Sequence, residues 1–322
     1  MKNLNLEENF AAEMSSLLVF KQLAVACSGG GDSMALTLLA QEWAEQNGIE
    51  LIAITVNHNL RAEAEAEAMQ VGVWLAERNI KHVILTWQGE KPASNIQETA
   101  RKERYRLMCE FCKEQGIENL LVAHHLEDQA ETFMLRLIRG SGVDGLAAMA
   151  KISTQNGLNI IRPLLGVQKA SLLDYLQSKN QQYVNDPSNR NLAYDRIKVR
   201  KFLPELAKLG LSVERIAATA ANMARAREYL DCETQEFIAT NCEFLQDRSV
   251  ILQALPQSEE IALRVLAALL MQIGGSEVKP RLNSLQRVYQ HISQDKFKPI
   301  TLGGCVFKYR KGTILILPEV GI

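Results

Sequence analysis

The chain has 322 residues and a formal net charge of -1, long enough for two domains and too neutral to advertise a globally basic nucleic-acid binder. Its start, Met1 to Phe10, is polar and acidic rather than a secretory signal. No apolar run reaches the roughly 20 residues a membrane helix needs, and the richest, Ile261 to Ile273, is short and broken by Arg264. The first predicted strand is Leu23 to Cys27, followed by Ser28-Gly29-Gly30-Gly31-Asp32-Ser33 and a helical pattern from Met34 to Gln46. Strand, glycine-rich loop and helix together place backbone N–H groups at a helix N-terminus, where anions bind. Glycines let the backbone approach a phosphate and accept positive φ, and the two serines add hydroxyl donors. No Gly-Lys-Ser/Thr closes the loop, so it is not a Walker A loop, and it lacks the Gly-x-Gly-x-x-Gly of a dinucleotide site.

Strands and helices then alternate. Leu51 to Asn57, Lys81 to Trp87 and Asn119 to Ala123 read as strands; Glu63 to Arg78, Asn95 to Gln115 and Glu127 to Arg139 read as helices. This order predicts an α/β fold, a doubly wound parallel sheet with helices on both faces, whose ligands bind at the carboxyl ends of the strands. Gly140 to Pro163 reads as a glycine-rich loop, with Gly140-Ser141-Gly142 suited to a flap. Ser171 to Asn180 is helical, Arg196 to Leu209 is basic and partly helical, and Val213 to Phe244 is a long helical stretch. A strand and a helix follow from Val250 to Ile273, then a helix from Pro280 to Ser293. The end, Ile300 to Phe307 and Thr313 to Leu317, reads as a small β meander. The expected division is a catalytic domain over 1–210 and a mainly helical substrate domain over 211–322.

Four side-chain constellations stand out. In His124-His125-Leu126-Glu127-Asp128-Gln129-Ala130-Glu131-Thr132, a strand end runs into a helix. Asp128 and Glu131 are three apart and share a helix face, so they can grip an ammonium group, share a divalent cation or accept a proton. Adjacent histidines on a strand point to opposite faces, so at most one is expected to aim into a site. Arg101 and Arg104, in Asn95-Ile96-Gln97-Glu98-Thr99-Ala100-Arg101-Lys102-Glu103-Arg104-Tyr105, share a face whose guanidinium forks suit phosphate oxygens or pair with Glu98 and Glu103. Val56-Asn57-His58-Asn59-Leu60-Arg61 lies at a strand end, where His58 could contact a nucleoside. Cys109 and Cys112 form a C-x-x-C inside a helix, with no second pair to complete a metal set. They read as two small apolar residues, and all six cysteines as reduced thiols.

The glycine loop matches Ser-Gly-Gly-x-Asp-Ser and resembles the PP-loop ATP pyrophosphatase family, which cleaves ATP between the α and β phosphates. The order of the other motifs resembles one branch of it, the tRNA(Ile)-lysidine synthetases. The resemblance extends through Arg136-Leu137-Ile138-Arg139-Gly140-Ser141-Gly142, Arg162-Pro163-Leu164-Leu165, Asp186-Pro187-Ser188-Asn189, and Arg196 and Arg200 ahead of Leu203-Pro204. It implies a cytoplasmic ligase, monomer or homodimer, using ATP and Mg²⁺. The reaction joins free L-lysine to C2 of the wobble cytidine of a CAU anticodon through an adenylated tRNA, releasing AMP and pyrophosphate and changing codon reading from AUG to AUA. Ser28 to Ser33 and His58 would hold ATP, and Asp32 and Asp128 would hold Mg²⁺. Asp32, Asp128, Glu131, Arg101 and Arg104 would serve the reaction centre, and Glu131, Arg196 and Arg200 the substrate. The Gly140 to Gly145 loop would shield the adenylate from water. Two positions depart from the family: Asn57 and Glu127 stand where it has Asp. Basic clusters at 196–201, Arg225 and Arg227, Lys279 and Arg281, and Lys308 to Lys311 are the expected tRNA contacts. The alternative within the PP-loop group is a tRNA 2-thiocytidine thiolase, which needs cysteines at the site.

Overall fold

The computed structural model describes residues 5–17, 21–60, 63–89, 96–185, 195–276, 278–294 and 296–319. Arg61, Asn95 and Asp186 to Asn189 lie outside the described residues, and Gln97 is described by its backbone alone. The chain forms two units, Met1–Ala224 and Arg225–Ile322.

The first unit holds α1 (Leu6–Ser15), β1 (Gln22–Ala26), α2 (Gly31–Asn47), β2 (Glu50–Asn57), α3 (Ala64–Ala76), β3 (Lys81–Thr86) and α4 (Ile96–Glu114). It continues with β4 (Asn119–Leu121), α5 (Leu126–Ile138), α6 (Val143–Leu146), β5 (Ile152–Gln155), β6 (Leu158–Ile161), α7 (Lys169–Ser178) and α8 (Asp195–Lys208). The sheet order is β3-β2-β1-β4-β6-β5, parallel throughout except for β5 against β6. Alternation along each strand feeds two cores. Leu23, Val25, Leu51 and Ala53 pack with Phe10, Leu36 and Leu172 of α1, α2 and α7. Ala24, Ile54, Leu120 and Ile160 pack on the other side with Met108, Cys109 and Cys112 of α4. The two C-x-x-C thiols are therefore core atoms. The strand order turns around between β1 and β4, which opens a crevice at their carboxyl ends.

One expectation fails here. Gly140 to Pro163 is not merely a loop: it contains α6 and the hairpin β5–β6, which widens the sheet by two strands. Asn156 (φ 50°) and Gly157 (φ 79°) form its tight turn, and positive φ at both central positions favours this pair of residues.

α9 (Val213–Asn241) runs from the first unit into the second. The second unit adds β7 (Cys242–Phe244), β8 (Val250–Leu252), α10 (Glu259–Gly274), α11 (Leu282–Ile292), β9 (Ile300–Leu302), β10 (Cys305–Arg310) and β11 (Thr313–Pro318). The expected meander is β9–β10–β11, but the sheet is larger, an antiparallel β7-β8-β11-β10-β9. Val250, Phe307 and Ile316 share a core with Leu266, Leu270 and Val288 of α10 and α11. Arg264 is buried in α10 and directs its guanidinium to Asp231 and Glu260, each at 2.8 Å.

Candidate active site

The glycine loop leaves β1 and becomes the first turn of α2. Met34 N–H donates to the Gly30 carbonyl at 2.9 Å, the first bond of the helical ladder. The N–H groups of Gly31, Asp32 and Ser33 precede that bond and have no acceptor within the helix, the condition for an anion cradle. Ser33 Oγ accepts the Ser28 N–H at 3.1 Å and donates to the Gly30 carbonyl at 2.9 Å, which fixes the turn from inside. Gly29 sits at φ 83°, and a Cβ there would lie 2.5 Å from Val71 Cγ2. A Cβ at Gly31 would lie 2.8 Å from Leu173 Cδ2. Gly29 therefore needs glycine for its backbone and its space, whereas at Gly31 a Cβ would displace the end of the Leu173 side chain. The Gly29 carbonyl accepts the Val184 N–H at 2.8 Å, tying the loop to the segment after α7.

Asp32 is the second residue of α2, and its carboxylate meets two cations. Oδ2 lies 2.7 Å from Lys169 Nζ and 3.5 Å from His125 Nε2. Oδ1 is buried and has no hydrogen-bond partner among the described residues. Burial alone would raise the Asp32 pKa, but His125 and Lys169 hold it below the usual carboxylate range. A buried, unpaired carboxylate oxygen beside a phosphate cradle is the donor a hard cation takes. No cluster of three or more metal-binding side chains occurs among the described residues. Mg²⁺ commonly uses one or two carboxylates together with substrate phosphates.

His125 lies four residues past the end of β4 and immediately precedes α5. Its Nε2 is 3.5 Å from both Asp32 Oδ2 and Asp128 Oδ2, and its Nδ1 is 2.9 Å from Glu127 Oε2. Burial pushes its pKa down, yet the bonds to Asp32 and Glu127 and the charges of Asp128 and Asp32 outweigh that and carry it up to about 9. The imidazole is therefore a cation at neutral pH. Glu127 also accepts the Lys169 N–H, at 3.0 and 3.2 Å, and so anchors the N-terminus of α7. Its longer arm bridges α5 and α7.

Asp128 and Glu131 share one face of α5, as their spacing predicts, and α8 covers that face. Asp128 Oδ2 accepts the His125 N–H at 3.1 Å, capping α5. Arg196 donates from Nη2 to Asp128 Oδ1 at 2.7 Å and from Nε to Glu131 Oε2 at 2.6 Å. Arg200 donates from Nε to Glu131 Oε1 at 2.5 Å and from Nη2 to Oε2 at 3.2 Å. The Glu131 side chain is fully buried, while Arg196 and Arg200 are 36% and 45% exposed. The acidic pair is thus held by guanidinium groups that keep one side toward solvent.

The two-histidine expectation is corrected by the same geometry. β4 ends at Leu121, so the alternation of a pleated strand no longer governs His124 and His125. His124 also borders the site. Burial pushes its pKa down to about 3; Asp128 opposes that, while Arg162, Arg196 and Arg101 reinforce it. Its Nδ1 is buried with no hydrogen-bond partner among the described residues. The sensitivity of His124 to Arg101 brings α4 to the edge of the cluster. Arg101 and Arg104 both lie over the Tyr105 ring, at 5.3 and 5.5 Å. Their alternative partners, Glu98 and Glu103, pair instead with Lys102 and Arg106.

His58 packs edge-on against Trp87 with ring centroids 6.2 Å apart. Asn57 is buried and its Oδ1 accepts the Asn59 N–H at 2.8 Å, shaping the turn after β2. Asp32, Asp128, Glu131, Arg196 and Arg200 thus join one connected network, Arg101 reaches it electrostatically, and His58 stands at the end of the neighbouring strand. Sequence reasoning missed Lys169 and passed over Arg162. Arg162 Nη1 donates to the Ala150 carbonyl at 2.9 Å and to Ser153 Oγ at 3.0 Å. Both follow the Arg162-Pro163-Leu164-Leu165 motif or belong to it, which is the one signal that could have found them.

The parallel α/β sheet thus carries an anion cradle after β1 and an acidic, arginine-clamped helix after β4. A profile of the PP-loop domain matches residues 3–206. The tRNA(Ile)-lysidine synthase of Wolbachia pipientis wMel is 40% identical over 312 residues, spanning 95% of this chain and 72% of that protein. Its counterpart in Ruegeria pomeroyi is 38% identical over 292 residues, spanning 89% of this chain and 68% of that protein. Among solved structures, the U34-tRNA thiolase NcsA from Methanococcus maripaludis with its 4Fe-4S cluster superposes with a TM-score of 0.57 at 20% identity. That match covers 70% of this chain and 77% of that one, and the likeness is one of fold. The chain belongs to the tRNA(Ile)-lysidine synthase family.

Proposed function

We infer that the chain joins L-lysine to C2 of the wobble cytidine in the CAU anticodon of tRNA(Ile), at the expense of ATP. The observation that carries this reading is the continuity of the site. One imidazolium, His125, links the carboxylate of the phosphate cradle, Asp32, to the carboxylate of the acidic pair, Asp128. A nucleotide and an amine held at the two ends react across a short gap.

In the first step the cytidine C2 oxygen attacks the α-phosphorus, the bond to the β-phosphate oxygen breaks, and pyrophosphate leaves. The loop amides from Gly31 to Ser33 and the Ser28 hydroxyl would hold the phosphates, with the Ser33 hydroxyl fixing the turn. Asp32, with Asp128 nearby, would hold Mg²⁺, which supplies charge neutralisation of the polyphosphate. In the second step the lysine ε-nitrogen attacks C2, the carbon–oxygen bond breaks, and AMP departs with the former C2 oxygen. Free lysine is protonated at neutral pH and must lose a proton to act. Asp128 and Glu131 bind its ammonium and accept that proton. They hold Arg196 and Arg200 beforehand, so an arriving ammonium exchanges places with a guanidinium. The released fork matches a phosphate oxygen pair, and Arg101 and Arg104 of α4 would add guanidinium charge in this reading.

The thiolase alternative finds no support in the thiols of this unit: Cys109 and Cys112 are core atoms of α4, and Cys27 is buried under the loop. Burial pushes the Cys112 thiol up to about 12 and raises Cys27 and Cys109 as well, so all three favour the unreactive protonated form. The second unit supplies tRNA contacts in this reading, through exposed cations such as Lys308, Arg310 and Lys311 at the β10–β11 turn. No helix among the described residues is long and apolar enough to cross a membrane. The test is incorporation of radiolabelled lysine into an unmodified CAU-anticodon transcript. Label in the tRNA that depends on ATP supports the reading, and ATP-dependent sulfur transfer without lysine uptake overturns it.

A further inference from the structure

We propose that Lys169 is the polyphosphate-binding lysine of this site, a cation delivered to the glycine loop from a different element. The loop from Ser28 to Ser33 contains no basic residue, although the ligand it is shaped for carries several negative charges. A Walker A loop meets that need with its own lysine, which reaches the β and γ phosphates. Here the loop leaves the place to a side chain from α7. Lys169 Nζ lies 2.7 Å from Asp32 Oδ2, at the second residue of the helix whose first amides form the cradle.

Two features separate this lysine from an incidental surface cation. Its backbone is fixed, because the Lys169 N–H donates to both oxygens of Glu127. Glu127 in turn is bonded to His125 Nδ1, so the lysine is registered to the acidic pair as well as to the loop. Its side chain, by contrast, is open to solvent: it is 44% exposed against 27% for Asp32. An ion pair this open contributes little to stability, so holding α7 in place does not explain it. An ammonium on a four-carbon stem can leave Asp32 when a hard cation takes that carboxylate, and swing to the leaving pyrophosphate oxygens beside it. Lys169 would then bind phosphate directly and balance charge on the departing group.

The inference rests on ATP occupying the glycine loop, and the experiment separates the two. Full-length protein is titrated calorimetrically with the α,β-methylene analogue of ATP plus Mg²⁺, with inorganic pyrophosphate, and with AMP. Lys169→Met is expected to weaken the analogue and pyrophosphate by about tenfold or more, the loss of one charge-assisted hydrogen bond, and to leave AMP unchanged. Lys169→Arg should keep most of the affinity, and Glu127→Gln, which loosens the anchor but keeps the ammonium, should lie between. If Lys169→Met melts early, Lys169→Gln takes its place in the same titration. Equal loss of AMP and pyrophosphate, or no loss of either, overturns the role of Lys169. Failure of the unaltered protein to bind the analogue overturns the nucleotide reading itself.

Discussion

The two ends of the site are built from the same charges in opposite ways. At the glycine loop, Asp32 keeps one buried oxygen unpaired and meets cations from two other segments, Lys169 and His125. At α5, Glu131 is fully buried and both of its oxygens are taken by guanidinium groups of α8. One end is open to a ligand, while the other is closed until a competing cation arrives. The difference teaches that burial is not the measure of function here. Glu131, the more deeply buried, has both oxygens committed to ion pairs within the fold, whereas Asp32 keeps one oxygen uncommitted.

The sharpest way to break this contrast is Asp128→Asn, which touches both ends. Lysine transfer should fall by about a thousandfold through loss of charge at the reaction centre, while circular dichroism stays native. An enzyme with unchanged turnover would remove Asp128 from the reaction. The next largest effect concerns pH. His125 is raised in the fold to about 9 from an ordinary value near 6.5. Its contribution is therefore fully present below about pH 6.5 and disappears as pH rises through about 9, a span of about 3 kcal/mol by linkage. Urea unfolding at pH 6, 7.5 and 9.5 measures it, and His125→Asn should flatten the profile over that window.

Glu131→Gln tests the closed end. It leaves two half-exposed arginines facing an amide and should cost about 2 kcal/mol in urea unfolding; a neutral result would mean the clamp does not stabilise the fold. The smallest effect is expected at Lys198, an exposed α8 cation paired with exposed Asp195. Lys198→Ala should leave the unfolding midpoint alone. If this face meets tRNA, the slope of log affinity against log salt should shrink by about one unit, and an unaltered slope removes Lys198 from the interface.

Much of the first unit was legible along the chain, because its signals are local. The glycine loop lies between a strand and a helix that both show their period, and the three-residue spacing of Asp128 and Glu131 by itself puts them on one helix face. The β5–β6 hairpin was missed although Asn156-Gly157 marks it. The glycine-rich start of that stretch, Gly140 to Gly145, drew the whole segment into a loop reading. β8 stands where a strand was expected at Val250, but β7 is three residues long, too short to show alternation; the helical reading of Val213 to Phe244 absorbed it, and only pairing with β8 makes it a strand. Lys169 was illegible for another reason. Its role depends on a partner 137 residues away, and no periodicity encodes such a meeting. Asn57 and Glu127, read as departures, turn out to shape the turn after β2 and to anchor α7.

The bond from Val184 to the Gly29 carbonyl has a consequence for biosynthesis. A ribosome-bound fragment that stops short of Val184 lacks the clasp that steadies the loop. Nucleotide affinity should therefore arise late in translation, after α7 has emerged from the exit tunnel. A half-made polypeptide would then not sequester ATP in the cell.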